Sequence, residues 1–276
     1  MKKYIVPIQT AAYLLLCCSA FSQKGIKGLI NAEKAFASFT ASHTIREGFL
    51  QYMDSAGVIF RQGYAVNALD TYQKQKPGTA ILSWEPEFAV ISASGDIGVT
   101  TGPYKIRPQT LPDTTVGRGS FSSVWQINKK GEWKNLADLG TSYSSPYPAV
   151  RKVKGISLPK TKNVNSTYDE VWQIDKKFNM AVQEKNTAIL TSHISTDSWL
   201  NIDGQVPVVG AKQIQTALQN IPDGLILISQ AGYLSSAKDL VYIYGTVING
   251  LKKENYLRVW IYRNKQWQVI LQTIKW

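Results

Sequence analysis

The chain has 276 residues, 44% hydrophobic and 18% charged, which gives room and apolar content for two domains of ordinary size and excludes an intrinsically disordered polypeptide. Lys and Arg number 31 against 19 Asp and Glu, a formal net charge of +12, so acidic partners are favoured in general. Part of that excess is local to Arg151, Lys152, Lys154, Lys160 and Lys162, a Pro-containing stretch that reads as a solvated basic linker, and no nucleic-acid partner is expected.

The N-terminus runs Met1-Lys2-Lys3, then mostly apolar residues from Tyr4 to Cys18, then Ser19-Ala20-Phe21-Ser22 before the polar Gln23. This is the pattern of a secretory signal peptide, residues 1–22, cleaved before Gln23 or Phe21. Pro7, Gln9 and Thr10 interrupt the apolar run, which is shorter than the roughly 20 residues of a membrane-spanning helix, so no transmembrane segment is expected. Cys17 and Cys18 raise the alternative of a lipidated N-terminus, but Leu15 and Leu16 stand where that signal wants small residues. The expected product is an exported chain, periplasmic or secreted, without cysteine, and therefore stabilised by its cores.

Beyond the signal the two halves repeat one pattern, and such self-similarity decides the architecture. Leu29, Ala32, Phe36 and Phe39 recur at helical spacing, and Thr44-x-x-Glu47 is a capping box opening a second helix through Met53. A short strand around 58–60, a helix over 67–76 and strand-like residues 80–92 come next. Gly95-Asp96 then turns into a β-prone run to Gly102. A hairpin closes the half: Ser123-Val124-Trp125-Gln126-Ile127, a turn at Asn128-Lys129-Lys130, and Gly131-Glu132-Trp133-Lys134. The second half repeats this order. Thr167-x-x-Glu170 caps a helix carrying Val171, Ile174, Phe178 and Val182; a strand at 199–202, a helix over 211–220 and a strand over 225–234 come after it. Lys238-Asp239 then precedes a run to Gly245, and Arg258-Val259-Trp260-Ile261-Tyr262 pairs with Gln266-Trp267-Gln268-Val269 across Arg263-Asn264-Lys265. The reading is an α+β chain of two cone-shaped domains, 23–143 and 167–276, joined by a linker at 144–166. Each has N-terminal helices packed on a curved antiparallel sheet of about four long strands. In the last strand, alternation sets Trp267, Val269 and Leu271 on one face and Gln268, Ile270 and Gln272 on the other.

On these residues the chain resembles the nuclear transport factor 2-like superfamily. The first half is similar to its SnoaL-like members through Leu82-Ser83-Trp84-Glu85-Pro86, Ser94 to Tyr104 and the Val-Trp hairpin. The resemblance implies a pocket at the open end of each cone. Candidate pocket residues are Tyr52, Trp84, Tyr104 and Trp125 in the first half, and Trp199, Tyr242, Tyr244 and Trp260 in the second. Enzymes of the superfamily such as ketosteroid isomerase and polyketide cyclases use a pocket carboxylate or histidine as base, which makes Asp54, Asp138 and His193 the candidate catalytic groups. His193 and Asp197 share a face only if their helix runs that far, and Ser195-Thr196-Asp197-Ser198 argues for a helix end or turn. Asp138 aligns with Gln272, so the halves do not share one ionisable set.

His43 and His193 fall in different repeats and no ligand-spaced cluster occurs, so neither a metal nor a cofactor is expected. No phosphate-loop, dinucleotide-binding or hydrolase-elbow motif occurs after residue 22. Three functions remain in order: an exported binder of a small apolar or aromatic molecule, a proton-transfer enzyme, and a non-catalytic module pairing through the sheet face, within the chain or as a homodimer.

Overall fold

The computed structural model describes residues 24–150, 152–160 and 164–276. The expected signal peptide, with Cys17 and Cys18, lies outside the described residues. In chain order the elements are α1 (Gly25–Ser42), α2 (Ile45–Tyr52), β1 (Met53–Arg61), β2 (Tyr64–Asn67), α3 (Ala68–Lys74), β3 (Ile81–Trp84), β4 (Phe88–Ile91), β5 (Ile97–Arg107), β6 (Gly117–Ile127), β7 (Trp133–Ser142) and β8 (Lys154–Ser157). The second half supplies α4 (Tyr168–Gln183), α5 (Thr187–His193), β9 (Ile194–Ile202), β10 (Val208–Val209), α6 (Ala211–Gln219), β11 (Ile226–Leu234), β12 (Leu240–Asn249), β13 (Lys252–Arg263) and β14 (Gln266–Ile274).

The fold class is α+β, with three helices against each of two sheets. Local chemistry explains the helix starts. Thr44 accepts from the Glu47 amide while the Glu47 carboxylate takes the Thr44 amide, a complete capping box, and Thr167 accepts from the Glu170 amide. Stripes of Leu29 and Phe36, and of Val171, Phe178 and Val182, then bury α1 and α4 on their sheets.

The sheets are mainly antiparallel, in the orders β2-β1-β7-β6-β5-β4-β8 and β10-β9-β14-β13-β12-β11, with β3 also pairing β5. The last long strand of each half lies parallel to the first, β7 to β1 and β14 to β9. The strand-like stretch 80–92 is two short strands, β3 and β4, separated at Glu85–Glu87. Within the stretch read as linker, β8 adds a parallel strand to β4, and Leu158 is buried.

Strict alternation fails in β14. Trp260 pairs with Val269 and Val259 with Leu271, so Ile270 is a bulge that re-aims the residues after it. Trp267 and Val269 face the helices, Ile270 and Leu271 both face the other sheet, and Gln272 turns back toward the helices. β6 and β7 carry the matching irregularity between Val124 and Trp125.

The faces turned away from the helices pack on one another. Val90, Val99, Val124, Ala137 and Leu139 meet Leu240, Leu257, Val259, Ile261 and Leu271 in one buried cluster, and Phe88 stacks on Trp199 at 5.4 Å between ring centroids. Polar contacts fix the register of the pairing. Asn201 donates to Thr101 Oγ1 at 2.9 Å, and Ser122 and Thr273 share a hydrogen bond of 2.6 Å. The two turn aspartates are used reciprocally: Asp96 accepts from the Ser236 amide at 2.9 Å, and Asp239 from the Ala93 amide at 2.9 Å. Each half thus caps the turn of the other.

Candidate ligand-binding site

The two cones start from the same plan and end differently. In the first, Glu33 sits on the buried face of α1, between Leu29 and Phe36, with no exposed surface. Three donors converge on its carboxyl group: Trp84 Nε1 at 2.6 Å on one oxygen, Trp125 Nε1 at 2.7 Å and Thr100 Oγ1 at 2.5 Å on the other. Burial pushes its pKa up from 4.5 to about 7, against the opposing pull of the bonds from Thr100, Trp84 and Trp125. The carboxyl group therefore ties α1 to β3, β5 and β6.

Outward from this clasp lies a cavity of about 180 Å³, lined by Phe36, Phe49, Leu82, Trp84, Tyr104, Ile106, Phe121, Asp138 and Gly140. Phe36 meets Trp84 edge-on at 4.8 Å and stacks on Tyr52 at 5.0 Å, so the helical wall is an aromatic cluster. Gly140 leaves the floor without a side chain, and Gly119 packs closely against Tyr104 and Thr141. A Cβ at Gly119 would overlap the Tyr104 ring and the Thr141 carbonyl, whereas one at Gly140 would stand 3.6 Å from the ring, in ordinary contact.

Asp138 is the ionisable carboxyl group in this wall. Ser123 Oγ donates to it at 2.6 Å and Asn135 Nδ2 at 3.4 Å. Asp138 is half-buried and lines the cavity. Burial raises its pKa to about 6, with the bonds from Ser123 and Asn135 acting in the opposite sense. Burial, then the nearby charges of Asp203, Tyr143 and Asp138, push the Tyr104 hydroxyl up to about 12.

In the second cone Asp175 takes the place of Glu33 on α4, and Trp260 Nε1 donates to it at 2.9 Å as Trp125 does to Glu33. Here the space is occupied. Arg258, wholly buried, reaches Asp175 at 2.7 Å and Asn179 at 2.9 Å through Nη1, and Gln272 at 2.7 Å through Nε. Its guanidinium lies 4.4 Å from the centroid of the Phe178 ring. Tyr256 and Ser229 donate to the other Asp175 oxygen at 2.9 and 2.7 Å. The pocket beside this network is about 10 Å³, at the lower limit for one water molecule. Counting from the paired tryptophans, Arg258 corresponds to Ser123. Each faces a β-strand partner, Gln272 and Asp138 respectively. The same registers set Gly140 of the first cone against the buried Ile274 of the second, and Phe121 against Tyr256, so several larger side chains together fill the second cone.

The residues singled out from sequence are thus distributed over several places. Trp84, Tyr104 and Asp138 line the first cavity, while Tyr52 and Trp125 stand behind it around Phe36. Trp260 belongs to the plugged core. Trp199, Tyr242 and Tyr244 are on the opposite sheet face, in the contact between the halves, because strand alternation turns them away from the helices. Asp54 accepts from the Ala56 amide at 2.9 Å and Ser55 Oγ at 3.4 Å, the local turn chemistry of a strand start, away from the cavity. His193 ends α5; its Nδ1 is 2.9 Å from the Trp267 carbonyl and its ring packs edge-on against Trp260. Asp197 is in β9, bound to Lys154 and Arg263, not on a helix face with His193. Among the described residues no group of His, Cys, Asp and Glu is placed to hold a metal ion, and no helix is long and apolar enough to cross a membrane.

Glu33, Asp175 and Arg258 are not among the residues that the sequence pattern singles out. The signal for them is an acid in each apolar helical stripe, at the same distance before Phe36 and Phe178, and an arginine in a strand otherwise apolar on that face.

No family model and no curated protein matches the chain. Among solved structures it is similar to a nuclear transport factor 2-like protein from Cytophaga hutchinsonii, at 18% identity over 39% of this chain and 96% of that one, with a TM-score of 0.33. It is also similar to a protein of unknown function with a cystatin-like fold from Nostoc punctiforme, at 16% identity over 38% and 87% and a TM-score of 0.33. A de novo designed protein with a curved β-sheet gives 12% identity over 39% and 97% and a TM-score of 0.34.

Proposed function

We propose that the chain is an exported tandem of two nuclear transport factor 2-like units in which the first binds a small aromatic or apolar molecule and the second supports it. The observation that carries this reading is the contrast between the cones: about 180 Å³ in the first, with an apolar and aromatic lining and one carboxyl group, against about 10 Å³ in the second. An engineered apolar cavity of about 150 Å³ accepts benzene, so the first cone suits a single substituted ring. Asp138 supplies an acceptor for one hydroxyl or amine on that ring, and the rest of the wall supplies contact without further polar demands. p-Cresol is a suitable probe. Isothermal titration should give saturable binding to the wild type and none to Gly140→Leu, whose side chain grows from the cavity floor into the space. Binding unaffected by Gly140→Leu would place the ligand elsewhere and overturn the proposal.

A second reading rests on Asp138 alone. A cavity carboxyl raised to about 6 is suited to accept and return a proton near neutrality. Its hydrogen-bond donors are Ser123 and Asn135, not a tyrosine, so the enolate donor that the isomerase-like scheme places beside its base is not paired with it. Turnover of a small β-diketone that tracks an ionisation near pH 6 and disappears in Asp138→Asn would establish this activity.

A further inference from the structure

The outer face of the first sheet carries a second concavity, which meets the cone at Trp84 and Tyr104. It is a groove of about 420 Å³ where β3, β5 and β6 extend past the contact with the second half and residues 143–150 cross over them. Its floor is cationic. Lys105 and Arg118 are directly opposed partners in the β5–β6 ladder, with Ser83 on the other side of Lys105. Arg107, two residues beyond Lys105, points to the same face by strand alternation, and its Nη1 donates to Ser83 Oγ at 2.8 Å. Arg118 Nη1 donates to the Ser144 carbonyl at 3.2 Å. These bonds orient the two guanidinium groups and leave most of their N–H donors uncommitted. Among the described residues none of the three cations is in an ion pair, and the one carboxylate in the groove wall is Glu85.

Like charges directly opposed on neighbouring strands destabilise a sheet. A chain that places Lys105 across from Arg118, adds Arg107 on the same face and roofs them with Tyr147 and Pro146 carries a cost that a bound anion would remove. The roof is itself anchored, since Tyr147 Oη donates to Glu87 at 2.8 Å. We infer that this groove is a binding site for an organic anion. A phosphate, sulfate or carboxylate group is held by Lys105, Arg107 and Arg118, and an attached ring lies against Tyr147 and Pro146. Guanidinium forks match such oxyanions in geometry as well as charge.

The test uses phenyl phosphate, inorganic phosphate and phenol, titrated calorimetrically at low ionic strength into the wild type and Lys105→Gln/Arg118→Gln. Phenyl phosphate should bind the wild type, more tightly than inorganic phosphate, and bind the double variant roughly tenfold or more weakly, as loss of charge-assisted bonds requires. The anion-free double variant should melt at or above the wild-type temperature, and phenyl phosphate should raise the melting temperature of the wild type alone. Retained p-cresol binding by the variant shows that it is folded and separates this site from the cone. Equal binding of phenyl phosphate by wild type and variant, or no saturable binding to the wild type, would overturn the inference.

Discussion

Replacing Glu33 by glutamine isolates the energetic consequence of placing an acid in an apolar helical stripe. The native carboxyl group titrates near 7 and the unfolded one at 4.5, so between these values the folded chain holds a proton that the unfolded chain has released. Stability from this group is fully present below 4.5 and is lost as the pH rises through 7. At about 1.4 kcal/mol per pH unit the loss amounts to about 3 kcal/mol. The Glu33→Gln side chain has no such dependence, but its amide cannot serve both indole donors, because one N–H of Trp84 or Trp125 must then face an NH₂ group. That mismatch costs about 1–3 kcal/mol at all pH values. In urea titrations with tryptophan fluorescence as the readout, wild type should therefore exceed Glu33→Gln in stability near pH 4.5, and the gap should close or invert by about pH 8. A gap that stays constant across this range would show that the carboxyl group is ionised at low pH, and the assigned protonation state would be wrong.

The same contacts make further outcomes measurable. Arg258→Ala strips the counter-ion from a wholly buried Asp175 and should lower stability by about 3–5 kcal/mol in denaturant titrations. Gly140→Leu should abolish p-cresol binding yet change stability by no more than about 1–3 kcal/mol, the usual range for enlarging a side chain in a packed region. Asp96 has the opposite pH signature to Glu33. Although burial opposes its charge, bonds from Ser236, Ser94 and Ser92 hold its pKa below the ordinary aspartate value, so its contribution is present above 3.8 and lost as the pH falls further. Asp96→Asn should therefore flatten the acid limb of the stability profile.

Much of the scaffold is legible in the sequence because its signals are local. The capping box at Thr44, the Thr167 cap on the Glu170 amide, the apolar stripe from Leu29 to Phe36 and the two Val-Trp hairpins each involve residues within one or two turns or one hairpin, and all are present in the fold. Long-range choices are less visible. The bulge at Ile270 depends on how β14 is registered against β13, which no pattern within β14 reveals, and it moves Leu271 from the face alternation assigns to it. The site shows the same division. Trp84, Tyr104 and Asp138 are conspicuous residue types in strands and do line the cavity. Tyr242 and Tyr244 are equally conspicuous but face the neighbouring sheet, because burial between two sheets attracts the same aromatic residues as a pocket. Arg258 helps fill the second cone, and an arginine in a strand reads from sequence as a surface residue until Asp175 is seen opposite it.

An open cone beside a plugged twin sets a binding stoichiometry that native mass spectrometry can count. With excess p-cresol the spectrum should show one molecule per wild-type chain and none on Gly140→Leu. Two molecules on the wild type, or one that persists in Gly140→Leu, would mean that the cones do not differ in the way Arg258 and Asp138 imply.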